Sequence, residues 1–340
     1  MTATTTPISI GDVQAPVDEY LYESDSFHQC WWQHLAPKFL ISHRQGDFCV
    51  HHKPFLKKLT TLKEIRIAGW NNAYCQDFNL KRVSEFKPYA DNVEWDYMMV
   101  QWGNHRRSKQ AFNLLESQGY TLYQLPIPSE HVIDLTGGWE GYLSGKSKSR
   151  QKNIKRKFKA VENLNPELVR IEGEQNIDAF FKKFFELHIE YWEEKAGYSY
   201  FKDPEEQEFM VAWAKELAEA GLLHLYEYRL GDEVASMDVD IISGNTLYSV
   251  LGINTGKYLD HYPSILCMYE ILKIAPEWGI TEVNMCYGDY PYKLKITTHT
   301  NDCYSLVIPN PKSVKGRLYT KWLYHIPRIK AKLKHLWAKN

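Results

Sequence analysis

The stretch from Leu222 to Gly252, "LLHLYEYRLGDEVASMDVDIISGNTLYSVLG", decides the fold. Apolar and polar residues alternate along it, and a period of two belongs to strands. Gly231–Asp232 and Ser243–Gly244–Asn245 break the alternation with the residue types that tight hairpin turns need. Three antiparallel strands joined by short turns are predicted. Asp238 and Asp240 alternate with Met237, Val239 and Ile241, so both fall on the polar face of the middle strand. That face is either solvated or carries a carboxylate for an amine.

On the N-terminal side of this meander the period is helical. Ile154, Phe158 and Val161 share one face, and Asn165–Pro166 stops that helix. Phe181, Phe184, His188, Tyr191 and Trp192 share a face of the next one. Asp203–Pro204 opens a third helix and Gly221 closes it. On the C-terminal side, the loop "INTGKYLDHY" leads to a helix from Pro263 to about Glu277, ended by Gly279. "ITEVNMCYG" and "CYSLVIP" read as two more strands. The chain is therefore α/β, a mixed sheet with helices on its faces and some α+β character.

Length and composition fit two folded domains. Residues 1–19 read as a loose tail, 20–138 as a first domain, 139–310 as a second, and 311–340 as a basic amphipathic helix that Pro327 interrupts. The first domain shows one clear helix, Arg107 to Gln118, and no catalytic constellation. Its adjacent His51 and His52 point to opposite sides of a strand, which argues against a metal site. The six cysteines, Cys30, Cys49, Cys75, Cys267, Cys286 and Cys303, are scattered and suit reduced core thiols. No signal peptide or membrane-spanning run is expected, so the expected compartment is the cytoplasm, with peripheral contact at the inner membrane face as an option.

The formal net charge of −1 hides an asymmetry. "GKSKSRQKNIKRKFKA", residues 145–160, carries eight Lys or Arg and no acid, and the residues from Pro311 onward carry nine more and no acid. The rest of the chain is strongly acidic. Two positive segments on an acidic body predict anionic partners for those segments alone. Lys146 and Arg150 are the candidates for phosphate contact in the first. RNA is a poorer match there, because the stretch lacks interleaved aromatics for base stacking.

Four stretches in this order resemble the GNAT acyltransferase superfamily, and within it the CelD-like branch associated with polysaccharide biosynthesis, which is related to the Fem-type peptidyl transferases. They are "WEGYLSGKSKSRQKNIKRKFKAVE", "FFELHIEYW", "GLLHLYEYRLGDEVASMDVDI" and "HYPSILCMYEILKIAPEWGITEVNMCYGDYPYK". The resemblance implies tandem GNAT-like domains, the first degenerate. It also implies N-acyl transfer from an acyl-CoA such as acetyl-CoA, or from an acyl carrier protein, to an amine that is sugar- or lipid-linked. No metal is implied. Aminoacyl-tRNA as the donor, as in the Fem-type branch, and a non-catalytic GNAT-fold binding module are the alternatives.

Such a site places a thioester carbonyl near a backbone donor, holds an amine in line and accepts a proton. A splayed pair of strands forms its slot, here "TLYSVLG" and "TEVNMCYG". The resemblance places Lys293 at the mouth of the sheet as a partly exposed substrate contact; a solvated loop lysine is the plain alternative. Asp289 orients the amine or takes its proton, or is an ordinary turn residue. Tyr292 shares that loop. His188 is a substrate contact or base, or a hydrogen-bonded core histidine. His261, Tyr262 and Ser264 stand where the superfamily's phosphate-binding loop opens a helix, although the usual glycines are absent. Tyr248 and the cysteines belong to the core.

Overall fold

A computed structural model describes residue 22 and residues 24–56, 58–72 and 78–337. The loose tail expected at 1–19 and Cys75 lie outside the described residues. None of the five described cysteines forms a disulfide, and all are buried. Among the described residues, no helix is long and apolar enough to cross a membrane, and no three His, Cys, Asp or Glu are grouped to hold a metal ion.

The chain folds as two compact units. One contains 27–130, 287–289 and 300–340. Its strands β1 (Ile41–Gln45), β2 (Phe48–Phe55), β3 (Thr60–Ile67), β4 (Tyr97–Asn104) and β11 (His299–Pro309) lie side by side in that order. β3 and β4 are parallel and the other neighbours antiparallel. Helices α2 (Leu80–Asp91) and α3 (His105–Ser117) lie against each other. Phe78, Val83, Phe86, Ala111, Phe112 and Leu115, from these helices and just before them, share a core with Val50, Ile65 and Met98 of the strands. His51 and His52 diverge as adjacent strand residues must: His51 Nδ1 meets Glu64 Oε2 at 3.2 Å, and His52 Nε2 meets Ser42 Oγ at 2.6 Å.

The boundary expected at 138 falls at 130/131, and the last strand does not belong with the second domain. β11 pairs antiparallel with β4 from Cys303↔Asn104 to Pro309↔Tyr97, and this ladder ties it to the first unit. α10 (Val314–Trp337) follows it there. Pro327 lies inside α10 and does not end it.

The other unit holds 131–286 and 290–299. The meander appears as β7 (Leu223–Leu230), β8 (Glu233–Ser243) and β9 (Thr246–Asn254), with β6 (Pro166–Ile171) on the far side of β7 and β10 (Glu282–Tyr287) parallel to β9. α8 (Pro263–Ile274) packs across β7, β8 and β9. α6 (Ile177–Ala196) touches β9 and α7 (Pro204–Glu219) touches β7. β8 is buried without a break from Ala235 to Ile242. Asp238 and Asp240 are therefore not solvated. The alternation of residue types is present, but both faces of this strand are covered.

The basic stretch becomes the turn after α4 (Gly138–Ser144) and helix α5 (Lys148–Val161), with Ser147 capping Arg150 N–H. Ile154 and Val161 anchor its apolar face in the same core as α8.

Candidate acyl-transfer site

β9 and β10 pair only at Thr246↔Glu282, Leu247↔Val283 and Tyr248↔Asn284. Beyond Tyr248 the two strands share no rung, so Ser249–Asn254 offers its edge to a guest chain. β9 is also bulged here: Asp240 pairs with Ser249 and Val239 with Leu251, leaving Val250 over. The residue before the end of β10, Cys286, is left-handed at φ 55°, and its N–H donates to Asn284 Oδ1 at 2.8 Å. A non-glycine residue in that region costs about 1–3 kcal/mol and persists only where its surroundings hold it.

Lys293 supplies part of that hold. It opens the short helix α9 (Lys293–Ile296) and is buried, at 6 % exposure, rather than partly exposed as the sequence suggested. Its Nζ donates to Met285 O at 2.5 Å and to Cys286 O at 3.5 Å, beside the ring of Tyr290 at 5.4 Å. The ammonium thus braces the end of β10 at the lip of the slot. Tyr292, the residue before α9, has an exposed ring that stacks on Tyr290. Burial, and after it the charge of Asp238, pushes its phenol well above the ordinary value. It stays protonated at neutral pH. Asp289 lies exposed in the loop between β10 and α9.

His188 sits on α6 among the rings of Phe184, Trp192, Tyr200 and Phe201, and its Nδ1 meets Ser199 Oγ at 2.9 Å. Burial lowers its pKa to about 4. A neutral imidazole with so low a pKa is a weak base.

Ser264, expected to contact phosphate, is hydrogen-bonded within the chain. Pro263 has no N–H. Ser264 N–H and Oγ–H both donate to Asn254 Oδ1, at 3.1 and 2.6 Å. Ile265 and Leu266 N–H both go to Tyr262 O, at 3.0 and 3.1 Å. The first turn of α8 has spent its donors internally, with Tyr262 in the left-handed region at φ 56° and His261 in the short turn before it. At α8 the residues offer no donor to a pyrophosphate that is not already bonded within the chain.

Lys146 and Arg150 are likewise engaged within the fold. Lys146 Nζ donates to Ile296 O and Thr297 O, both at 2.8 Å, and Arg150 donates to Lys295 O. Together they satisfy the carbonyls at the end of α9. Burial, and then Arg150, lowers the Lys146 pKa to about 8. Lys157, which the sequence reading passed over, lies with Nζ 3.1 Å from the ring centre of Tyr262, at the start of α8. Exposed Lys148, Lys152, Lys155, Arg156 and Lys159 remain on the outside of α5.

Asp238 and Asp240, expected on a face either solvated or holding a carboxylate for an amine, are not solvated. Both are buried between β8 and α8, and burial raises Asp238 to about 7 and Asp240 well above the carboxylate range. Asp238 Oδ2 has no hydrogen-bond partner, and a side-chain hydrogen bond from Ser249 offsets only part of the burial of Asp240. The even spacing of two acids in a strand flanked by strands was the available signal.

A parallel rung that stops after three pairs, beside a bulged strand and before a helix, decides the comparison. Residues 148–294 have the fold of a GNAT domain. The family model described as "Acetyltransferase (GNAT) domain" matches residues 148–294. FemX superposes with a TM-score of 0.58 at 12 % identity, over 90 % of this chain and 95 % of that one. L-PGS from Bacillus licheniformis gives 0.51 at 12 % identity, over 82 % and 87 %. A conserved protein of unknown function from Bacteroides thetaiotaomicron gives 0.53 at 12 % identity, over 84 % and 90 %. A search of the curated proteins finds none that matches.

Proposed function

We propose that this protein transfers an acyl group from an activated donor to an amine, with the chemistry at the open edge of β9. The observation that carries the reading is the end of the β9–β10 ladder after Tyr248↔Asn284. An extended acyl arm laid along Ser249–Asn254 would find backbone partners there, and a thioester carbonyl held beside a backbone N–H is polarised for attack. Tyr292, kept protonated, suits a hydrogen-bond donor to the acceptor or the leaving group. Lys293 shapes the lip, and Asp289, exposed four residues earlier in the chain, suits a contact to a polar partner. When bound, a thioester cofactor supplies the activated acyl carbon; the chain supplies position and proton transfer.

The test is chemical. The protein is incubated with S-acetylpantetheine or acetyl-CoA and simple primary amines such as glucosamine and lysine, and products are read by mass spectrometry. One amide formed per thiol released supports the reading. Binding of donor without any amide product points to a non-catalytic module.

A second reading, with aminoacyl-tRNA as donor, is favoured by the start of α8. Its donors are consumed by Asn254 and Tyr262, while Lys148, Lys152, Lys155, Arg156 and Lys159 of α5 stay exposed and FemX and L-PGS share the fold. Replacing the thioester by aminoacyl-tRNA in the same assay separates the two. The CelD-like assignment and a role in polysaccharide or envelope synthesis belong to the same proposal and rest on the sequence resemblance. A lipid-linked acceptor at an anionic membrane is supported by α10, where Val314, Leu318 and Trp322 are exposed at helical spacing beside Arg317 and Lys321. Sedimentation with phosphatidylglycerol vesicles tests it.

A further inference from the structure

Asp238 stands opposite Gly252 in the β8–β9 ladder, and the two positions share a face of the sheet. Gly252 does not have a left-handed backbone, so its conformation would admit another residue. Space is what excludes one: a Cβ built there would lie 2.8 Å from Asp238 Oδ1. The carboxyl group therefore leans across β9 over the missing side chain. Gly252 is exposed and lies beyond the last rung with β10, in the open part of the edge. Asp238 is thus aimed at the slot while its own side chain is 4 % exposed and its Oδ2 has no partner.

Among the described residues, no cation offsets its burial. Cys267 of α8 donates to it and partly offsets the burial. Asp240 lies beside it on β8, Tyr226 faces it from β7, and Tyr292 feels its charge from the segment before α9. Asp240, held neutral by burial and by Asp238, leaves a single carboxylate to titrate near neutrality. A base is most effective when its pKa lies near the working pH.

We infer that Asp238 is the base that takes the proton from the acceptor's ammonium group, reached across the side-chain-free position of Gly252. The inference rests on the acyl-transfer reading above. The ammonium gives one proton to the Asp238 carboxylate, which becomes a carboxylic acid. The freed nitrogen lone pair forms a C–N bond to the thioester carbonyl carbon. The C–S bond then breaks, its electron pair leaves on sulfur, and a second proton lost from nitrogen ends on that sulfur as a thiol. Asp238 returns its proton to solvent. Asp289 and His188 then have no part in this step.

The experiment follows thiol release and amide formation from S-acetylpantetheine and the primary amines between pH 5 and 9. Wild type is expected to gain activity through a limb near pH 7. Asp238→Asn should lose the limb and fall about 100-fold or more at pH 8. Asp240→Asn should keep the limb. Gly252→Ala, which pushes the carboxyl aside, should fall about 10–100-fold. Carbon-13 NMR of labelled aspartate reads the Asp238 carboxyl directly, with a midpoint near 7 expected. If Asp238→Asn does not fold, Gly252→Ala and the NMR midpoint decide. Amide formation in wild type with an unchanged limb in Asp238→Asn, or a midpoint in the ordinary carboxylate range, overturns this inference and leaves acyl transfer standing. No amide from wild type with any donor overturns acyl transfer itself, and this inference with it.

Discussion

Glu64 on β3 and Asp238 on β8 are both buried carboxylates within sheets, one in each unit, and they behave in opposite ways. Glu64 meets Arg66 Nε at 2.9 Å and His51 Nδ1 at 3.2 Å. Burial alone would raise it, but the Arg66 charge and these hydrogen bonds win and hold its pKa at about 2. Asp238 has only a thiol to oppose burial, and its pKa rises to about 7. The same desolvation gives a fixed charge where a cation is built in and a titrating group where none is. The first arrangement stiffens a fold; the second is of use to chemistry.

The largest effect that separates them is on stability. Glu64→Gln leaves Arg66 buried without its counter-charge and should cost about 3–5 kcal/mol in denaturant unfolding at pH 7. Asp238→Asn should act in the other direction. Its folded pKa lies above the unfolded value of 3.8, so wild type loses stability as pH rises from about 4 to about 7. The variant should match wild type at pH 4 and exceed it by at most about 4 kcal/mol at pH 8. A variant that is less stable at pH 8 than at pH 4, relative to wild type, would break the comparison.

A histidine gives the mirror image. His188 is lowered from 6.5 to about 4, so the folded state resists its protonation. Wild type should lose about 3 kcal/mol as pH falls from 6.5 to 4, and His188→Gln should lose less over that window. Equal slopes for both proteins would place the acid sensitivity elsewhere.

How much of this was legible depended on whether local pattern or tertiary cover set the outcome. The meander, its turns and the helices on either side follow from periodicity and punctuation, and they fold as read. β11 was seen as a strand, but its partner was not, because nothing in "CYSLVIP" names β4 across such a sequence distance. The slot strands were found through family resemblance. Lys293 was placed correctly at the end of β10 and wrongly in solvent, since the carbonyls of Met285 and Cys286 that receive it exist only once Cys286 turns left-handed. The alternation of Asp238 and Asp240 left a solvated face and an amine-binding carboxylate both open, because it cannot reveal that a strand is covered on both faces. Asn254 was invisible as the cap of α8, ten residues before the N–H that it accepts.

Smaller effects sharpen the reading of the basic stretch. Lys146→Met removes two hydrogen bonds to the carbonyls ending α9 and should cost about 1–2 kcal/mol, through a weaker hold on the segment that carries Lys293 and Tyr292. Reversing exposed Lys152 and Lys159 to Glu should change stability by less than about 0.5 kcal/mol. If α5 steers an anionic donor, the same reversal should raise KM, and more so at low salt. Identical KM values at low ionic strength would return these residues to a solvated role.

The most direct measurement is an amide NMR titration of the isotopically labelled protein with S-acetylpantetheine. An acyl arm on the open edge of β9 should shift Ser249–Asn254 and Cys286 first, with little change in the first turn of α8, whose donors are already taken. Shifts confined to α5 or α10, with β9 unmoved at saturating ligand, would contradict the placement of the chemistry at this edge.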